Sequence, residues 1–174
     1  MARSEERRGE LPVLGWKERV ALPAWGLALK ALVDPVSPLS TLAVERVERV
    51  GRMRDDEGRL RLVLRLEVPM GQGRQRVKQV YAFYRRRTRL GEGLGRCMVV
   101  RAALALGELV WDAELALVPS RRQYFLHLGR ADLAGRFRVD PGRAYLHPLG
   151  RRPAKFRRAQ QVIQHMPDGP PRDL

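Results

Sequence analysis

Along residues 59–68, Leu60, Leu62, Leu64, Leu66 and Val68 alternate with Arg59, Arg61, Val63, Arg65 and Glu67. Successive side chains of a strand point to opposite faces, so the stretch predicts a half-buried strand with an arginine face. Asp55-Asp56-Glu57-Gly58 ahead of it is a hairpin turn that pairs it with residues 44–53. Residues 77–84 read as another strand. Residues 98–106 and 110–118 form a further hairpin around Gly107-Glu108. A short run ends at Leu126, Leu128 and Gly129, and residues 136–139 make a last strand closed by Asp140-Pro141-Gly142. Leu27, Leu29, Ala31 and Val33 alternate with Ala28, Lys30 and Leu32 until the run stops at Asp34-Pro35.

Helical periodicity is confined to two places. Residues 130–135 allow one or two turns after Gly129, and residues 155–164 (KFRRAQQVIQ) form a basic tail helix. The last residues, PDGPPRDL, have the composition of a disordered end. The expected organisation is a flexible segment 1–14, one mostly-β domain at 15–147 and a basic, partly disordered tail 148–174. Short strands at this density imply a small barrel or packed sheets.

Composition adds a partner class. The 174 residues hold 34 basic and 19 acidic side chains, a net charge of +15. Residues 1–14 are neutral and residues 146–174 carry +4, which leaves +11 on the body. Such a field favours polyanions: nucleic acid, anionic lipid or an acidic polypeptide. Only four of the basic residues are lysines, so an arginine-rich composition with solvated arginine faces accounts for part of it. No apolar run reaches the ~18 residues of a membrane helix. The charged MARSEERRGELP has no apolar stretch behind it and reads as no secretory signal. Cys97 is alone, which suits a reducing cytoplasm, the expected location.

Several chemistries are poorly supported. The histidines, His127, His147 and His165, make no metal-binding pair, and one cysteine makes no thiolate zinc site. No cofactor and no metal is expected. His127, inside the apolar YFLHLG, reads as a packed core histidine. There is no serine-nucleophile elbow and no Walker-type loop, and GEGLG at 91–95 lacks the strand-then-helix setting of a phosphate loop.

What remains is Asp34, a carboxylate at a strand end, together with Leu128-Gly129-Arg130 ahead of a short helix. GWKERVALPAWGL, KALVD, LGELVWDAEL with Trp111 and Glu114, and LGRADLAGRFRVDPGRAY occur in that order over residues 15–145. With these blocks the chain resembles the bacterial retropepsin-like aspartic peptidase family often labelled "ATP-dependent zinc proteases". The resemblance implies a small closed retropepsin-like β-barrel with one short helix after Leu-Gly-Arg. It also implies a two-fold homodimer in which each chain supplies one catalytic Asp, and action on acidic tails such as glutamate chains added to a ribosomal protein by an ATP-grasp ligase. Carried onto this chain, Asp34 takes the catalytic position and Ser40, Arg101 and Arg130 take substrate-binding positions. Two carboxylates brought together share one proton, because both cannot ionise at such close range.

The chain departs from the family where chemistry would occur. Asp-Thr-Gly-Ala becomes Asp34-Pro35-Val36-Ser37. Pro35 has neither a hydroxyl nor an N–H. Val36 replaces a glycine whose backbone could approach the carboxylate, and its branched side chain disfavours left-handed geometry. Ser37, Ser40 and Thr41 keep hydroxyls nearby. The leading reading is therefore a pseudoenzyme-like module for acidic, glutamate-rich peptides, or a regulatory module, with an eroded catalytic turn. An active dimeric aspartic peptidase is the first alternative. Nucleic-acid binding through arginine faces and the RRPAKFRR tail is the second, with Tyr81, Phe83 and Tyr84 as a thin stacking platform.

Overall fold

The structure, a computed structural model, describes residues 10–70, 76–91, 95–119 and 124–149. The tail helix expected at 155–164 and most of the glycine loop at 91–95 lie outside the described residues. The strands are β1 (Val13–Leu14), β2 (Lys17–Leu22), β3 (Leu27–Val33), β4 (Ser40–Val44), β5 (Arg46–Arg54), β6 (Leu60–Pro69), β7 (Val77–Arg89), β8 (Arg96–Leu106), β9 (Leu109–Pro119), β10 (Leu126–Leu128) and β11 (Arg138–Val139). Among the described residues there is one α-helix, α1 (Arg130–Leu133), which begins one residue after β10. No helix among the described residues is long and apolar enough to cross a membrane.

The barrel is built from β2, β3, β10, β4, β9 and β8 in that order, and β8 returns to β2 where Ala105 pairs with Ala21. Its central feature is the short β10, inserted between β3 and β4. It runs parallel to β3 and antiparallel to β4. Beyond the ring, the first half of β8 carries β7, then β6 and β5, as a chain of antiparallel hairpins. The fold class expected from the strand pattern and the family resemblance is the one observed.

Alternation fixes which residues enter the barrel. Leu27, Leu29, Ala31 and Val33 of β3 face inward with Leu42 and Val44 of β4, Val100, Ala102, Leu104 and Leu106 of β8, and Leu126 and Leu128 of β10. Leu64, Leu66 and Val68 of β6 join the same core. Burying a leucine contributes about 1.5–3 kcal/mol each, so this shared face dominates stability. A second cluster lies on the opposite face of the barrel wall: Ala43, Cys97, Val99, Ala116 and Val118, with Leu39, Leu90 and Phe125 against it.

β2 and β4 are not among the strands expected from the alternation, and three further features differ from expectation. β7 runs on to Arg89, because an irregularity between Tyr84 and Arg86 resets its pairing with β8 and hides the alternation. β11 shrinks to two residues, because the Arg136 and Phe137 N–H groups are donated back to the Leu133 carbonyl. At the other end, Val13 and Leu14 pair with β11 as a parallel strand, inside the stretch expected to precede the domain.

Candidate functional site

β3 carries Asp34 to the barrel's edge. Its N–H donates to the Leu128 carbonyl at 2.9 Å, one residue past the last β3–β10 pair, and Pro35 then ends the strand. The chain folds over the carboxylate. Val36 N–H and Ser37 N–H donate to Oδ1 at 3.2 and 3.3 Å, and the Ser37 hydroxyl donates to Oδ2 at 2.8 Å. An aspartate that accepts from the backbone two and three residues on makes its own turn. Partial burial alone would raise the Asp34 pKa. The Ser37 hydroxyl, the Ser37 and Val36 N–H groups and the neighbouring His127 ring outweigh it and hold the carboxyl below its ordinary value.

The branched Val36 therefore still donates its backbone N–H to the carboxylate. Among the described non-glycine residues only Tyr145 has positive φ, so Val36 delivers its N–H from ordinary backbone geometry. The missing hydroxyl at Pro35 stands. So does the bulk of Val36, a residue 83% exposed at the tip of the turn.

His127 is buried, as expected, yet it is not an ordinary core residue. Its neighbours Leu126 and Leu128 enter the barrel, so its ring projects from the other face. There its register partners are Leu32 and Thr41, and Asp34 lies two residues beyond Leu32 on the same side. His127 Nδ1 comes to 3.7 Å from Asp34 Oδ2, within ion-pair reach when the ring is protonated. Sequence reasoning missed this pair. The available signal was parity: in YFLHLG, leucines one residue either side of His127 put it on the opposite face.

Behind the turn is a buried polar frame. The Ser40 hydroxyl donates to Asp132 Oδ2 and accepts the Gly129 N–H at 3.0 Å, while Trp111 Nε1 donates to Asp132 Oδ1 at 2.9 Å. Arg136 adds a cation over the Trp111 ring at 5.1 Å. Ser40 is fully buried, and its hydroxyl braces Gly129 and α1. Gly129 must be glycine on steric grounds: a Cβ there would lie 2.3 Å from the Leu39 carbonyl carbon. The Arg130 N–H donates to the Ser37 carbonyl at 2.8 Å, which ties α1 to the Asp34 turn and leaves Arg130 itself exposed.

Arg101 is placed elsewhere. Its guanidinium donates to Asp112 at 2.9 Å and Glu57 at 3.3 Å. The arginine rows behave alike: Arg61 meets Asp55, Arg65 meets Glu48 and Arg86 meets Glu114. Arg61, Arg65, Arg86 and Arg101 are thus engaged by the chain's own acids. Of the predicted site residues, the structure brings Asp34 and Arg130 together at one turn, with Ser40 beneath. Among the described residues no group of three His, Cys, Asp or Glu could hold a metal.

Comparison with known proteins matches residues 13–149 to the RimB-like family, described as retropepsin-like aspartic endopeptidase RimB. A crystal structure of a protein of unknown function (DUF785) from Legionella pneumophila is similar over 78% of this chain and 97% of its own, with a TM-score of 0.64 and 22% identity. That likeness concerns the fold. No curated protein matches the chain.

Proposed function

The chain belongs to the RimB-like family of retropepsin-like aspartic endopeptidases, and on that footing we propose that it is a peptidase-fold module that binds acidic, glutamate-rich peptides at the Asp34 turn with hydrolysis impaired. The observation that carries this reading is the state of the turn. Both Asp34 oxygens are engaged within the chain, by Val36, Ser37 and His127. Val36 stands exposed where a second copy's turn would approach, and Pro35 offers no hydroxyl to hold it. An acidic ligand suits the net charge of +15 and the exposed Arg130 at the same turn, whose planar fork grips carboxylates well.

The retained donors favour a second reading, a working dimeric peptidase in which one Asp34 activates water and its copy holds the proton. Incubating the purified protein with glutamate oligomers from pH 4 to 8, beside Asp34→Ala, separates the two. Binding without shortening is expected. Shortening that vanishes in Asp34→Ala would establish the peptidase instead, and a strict monomer in equilibrium sedimentation would exclude the shared-proton mechanism. Oligonucleotide binding with a steep salt slope, and no glutamate-oligomer binding, would mark a nucleic-acid protein.

A further inference from the structure

We propose that His127 gates the binding of acidic peptides at the Asp34 turn: the imidazolium cancels the Asp34 charge and admits the ligand, and the neutral ring leaves that charge to repel it. The inference rests on the acidic-peptide reading of this site and adds its control by pH.

The site holds a conflict of charge. A turn that receives acidic peptides carries an ionised carboxylate of its own, and like charges at close range oppose binding. The cradle sharpens the conflict. Hydrogen bonds from Val36 and Ser37 keep Asp34 ionised rather than letting it protonate when a carboxylate arrives. The compensating cation must therefore come from outside the turn, and His127 is placed to supply it. Nδ1 sits 3.7 Å from Oδ2, and the two side chains are only 10% and 23% exposed, so water screens the pair weakly. Histidine is the side chain whose ordinary titration falls near neutrality, where a gate is useful.

Among the described residues, Asp34 is the carboxylate recorded within ion-pair reach of His127, and the neighbouring elements contribute these other groups. β4 contributes Thr41 and, over Ser40–Val44, no ionisable group. On β3, Lys30 is exposed. Lys17 of β2 is in register with Leu32, but its ammonium lies over the Trp16 and Tyr145 rings at 4.5 and 5.1 Å. Arg130 follows β10 and is exposed. Asp132 is held by Ser40 and Trp111.

The test measures binding of a fluorescent glutamate oligomer to the full chain at constant ionic strength from pH 5.5 to 8, a range in which the oligomer's carboxylates are largely ionised. Wild type should lose affinity on going up this range, by about 5–100-fold, the size of an ordinary coupling between two sites. His127→Gln should be flat and weak, resembling wild type at pH 8. Asp34→Asn should be flat and tight, since no charge remains to cancel. His127→Gln with the wild-type slope, or Asp34→Asn with the slope intact, would overturn the gate and leave acidic-peptide binding standing. No binding at any pH would remove both. Should His127→Gln not fold, the His127 ring titration followed by NMR decides: its midpoint should drop in Asp34→Asn, and an unchanged midpoint refutes the pair.

Discussion

Ser37 decides how Asp34 behaves, because it contributes both a hydroxyl and an N–H to the carboxylate. A carboxyl held below the unfolded value of 3.8 stabilises the fold fully above that pH, and the contribution is lost as pH falls through the folded value. Wild type should therefore lose stability on acidification below about pH 4, where aspartate ordinarily titrates. Ser37→Ala removes the hydroxyl donor, so the Asp34 carboxyl should titrate at higher pH and the acid-dependent part of the stability should shrink. Denaturant midpoints between pH 2 and 6 measure this. At neutral pH the same variant should lose about 1 kcal/mol, the ordinary net worth of one hydrogen bond.

At the scale of elements, the site depends on how closely β10, α1 and the turn before β4 approach one another. Gly129 is the contact point: it donates to Ser40 and packs against the Leu39 backbone. Its φ of −89° suits any residue, so only space forbids a side chain. Gly129→Ala forces backbone against backbone and should destabilise by at least about 1–3 kcal/mol, the usual cost of overpacking. Chemical denaturation gives the value, and a variant as stable as wild type would show that the two segments separate easily. β3 and β10 beside this junction were legible in the sequence and the hairpins in their turn residues, whereas β4, buried along its whole length, was not. Arg85 to Arg89 were not, because a ladder irregularity breaks period two at that point.

Across the whole molecule, the two ends of the described domain are clasped by one buried carboxylate. Glu18 is fully buried and accepts the N–H groups of Gly15 at 2.9 Å, Leu146 at 3.0 Å and His147 at 3.3 Å. Gly15 is pressed against the Arg143 carbonyl, and His147 Nε2 sits 2.7 Å from the Val13 carbonyl, which closes the same seam. Glu18→Ala would strand these donors and should cost about 2–4 kcal/mol, since each unsatisfied buried group costs about 1–3. A thermal melt should register the loss, and proteolysis should cut first after residue 140. Nothing in KERVAL marks Glu18 as buried or hints that residues 128 positions away return to cover it.

The sequence by itself determined most of the strands, though not β1, β2 or β4, together with the short helix after Leu128-Gly129-Arg130 and the placing of an aspartate at a strand tip. These follow from local alternation and turn chemistry, which act between near neighbours. Only the tertiary structure decided what each polar group meets. Inserting β10 between β3 and β4 set His127 beside Asp34 and engaged Ser40 with Asp132 and Gly129, while the β8–β9 ladder brought Arg101 to Asp112. Such pairings join residues as much as 93 positions apart, as His127 and Asp34 are, and strand register rather than composition selects them.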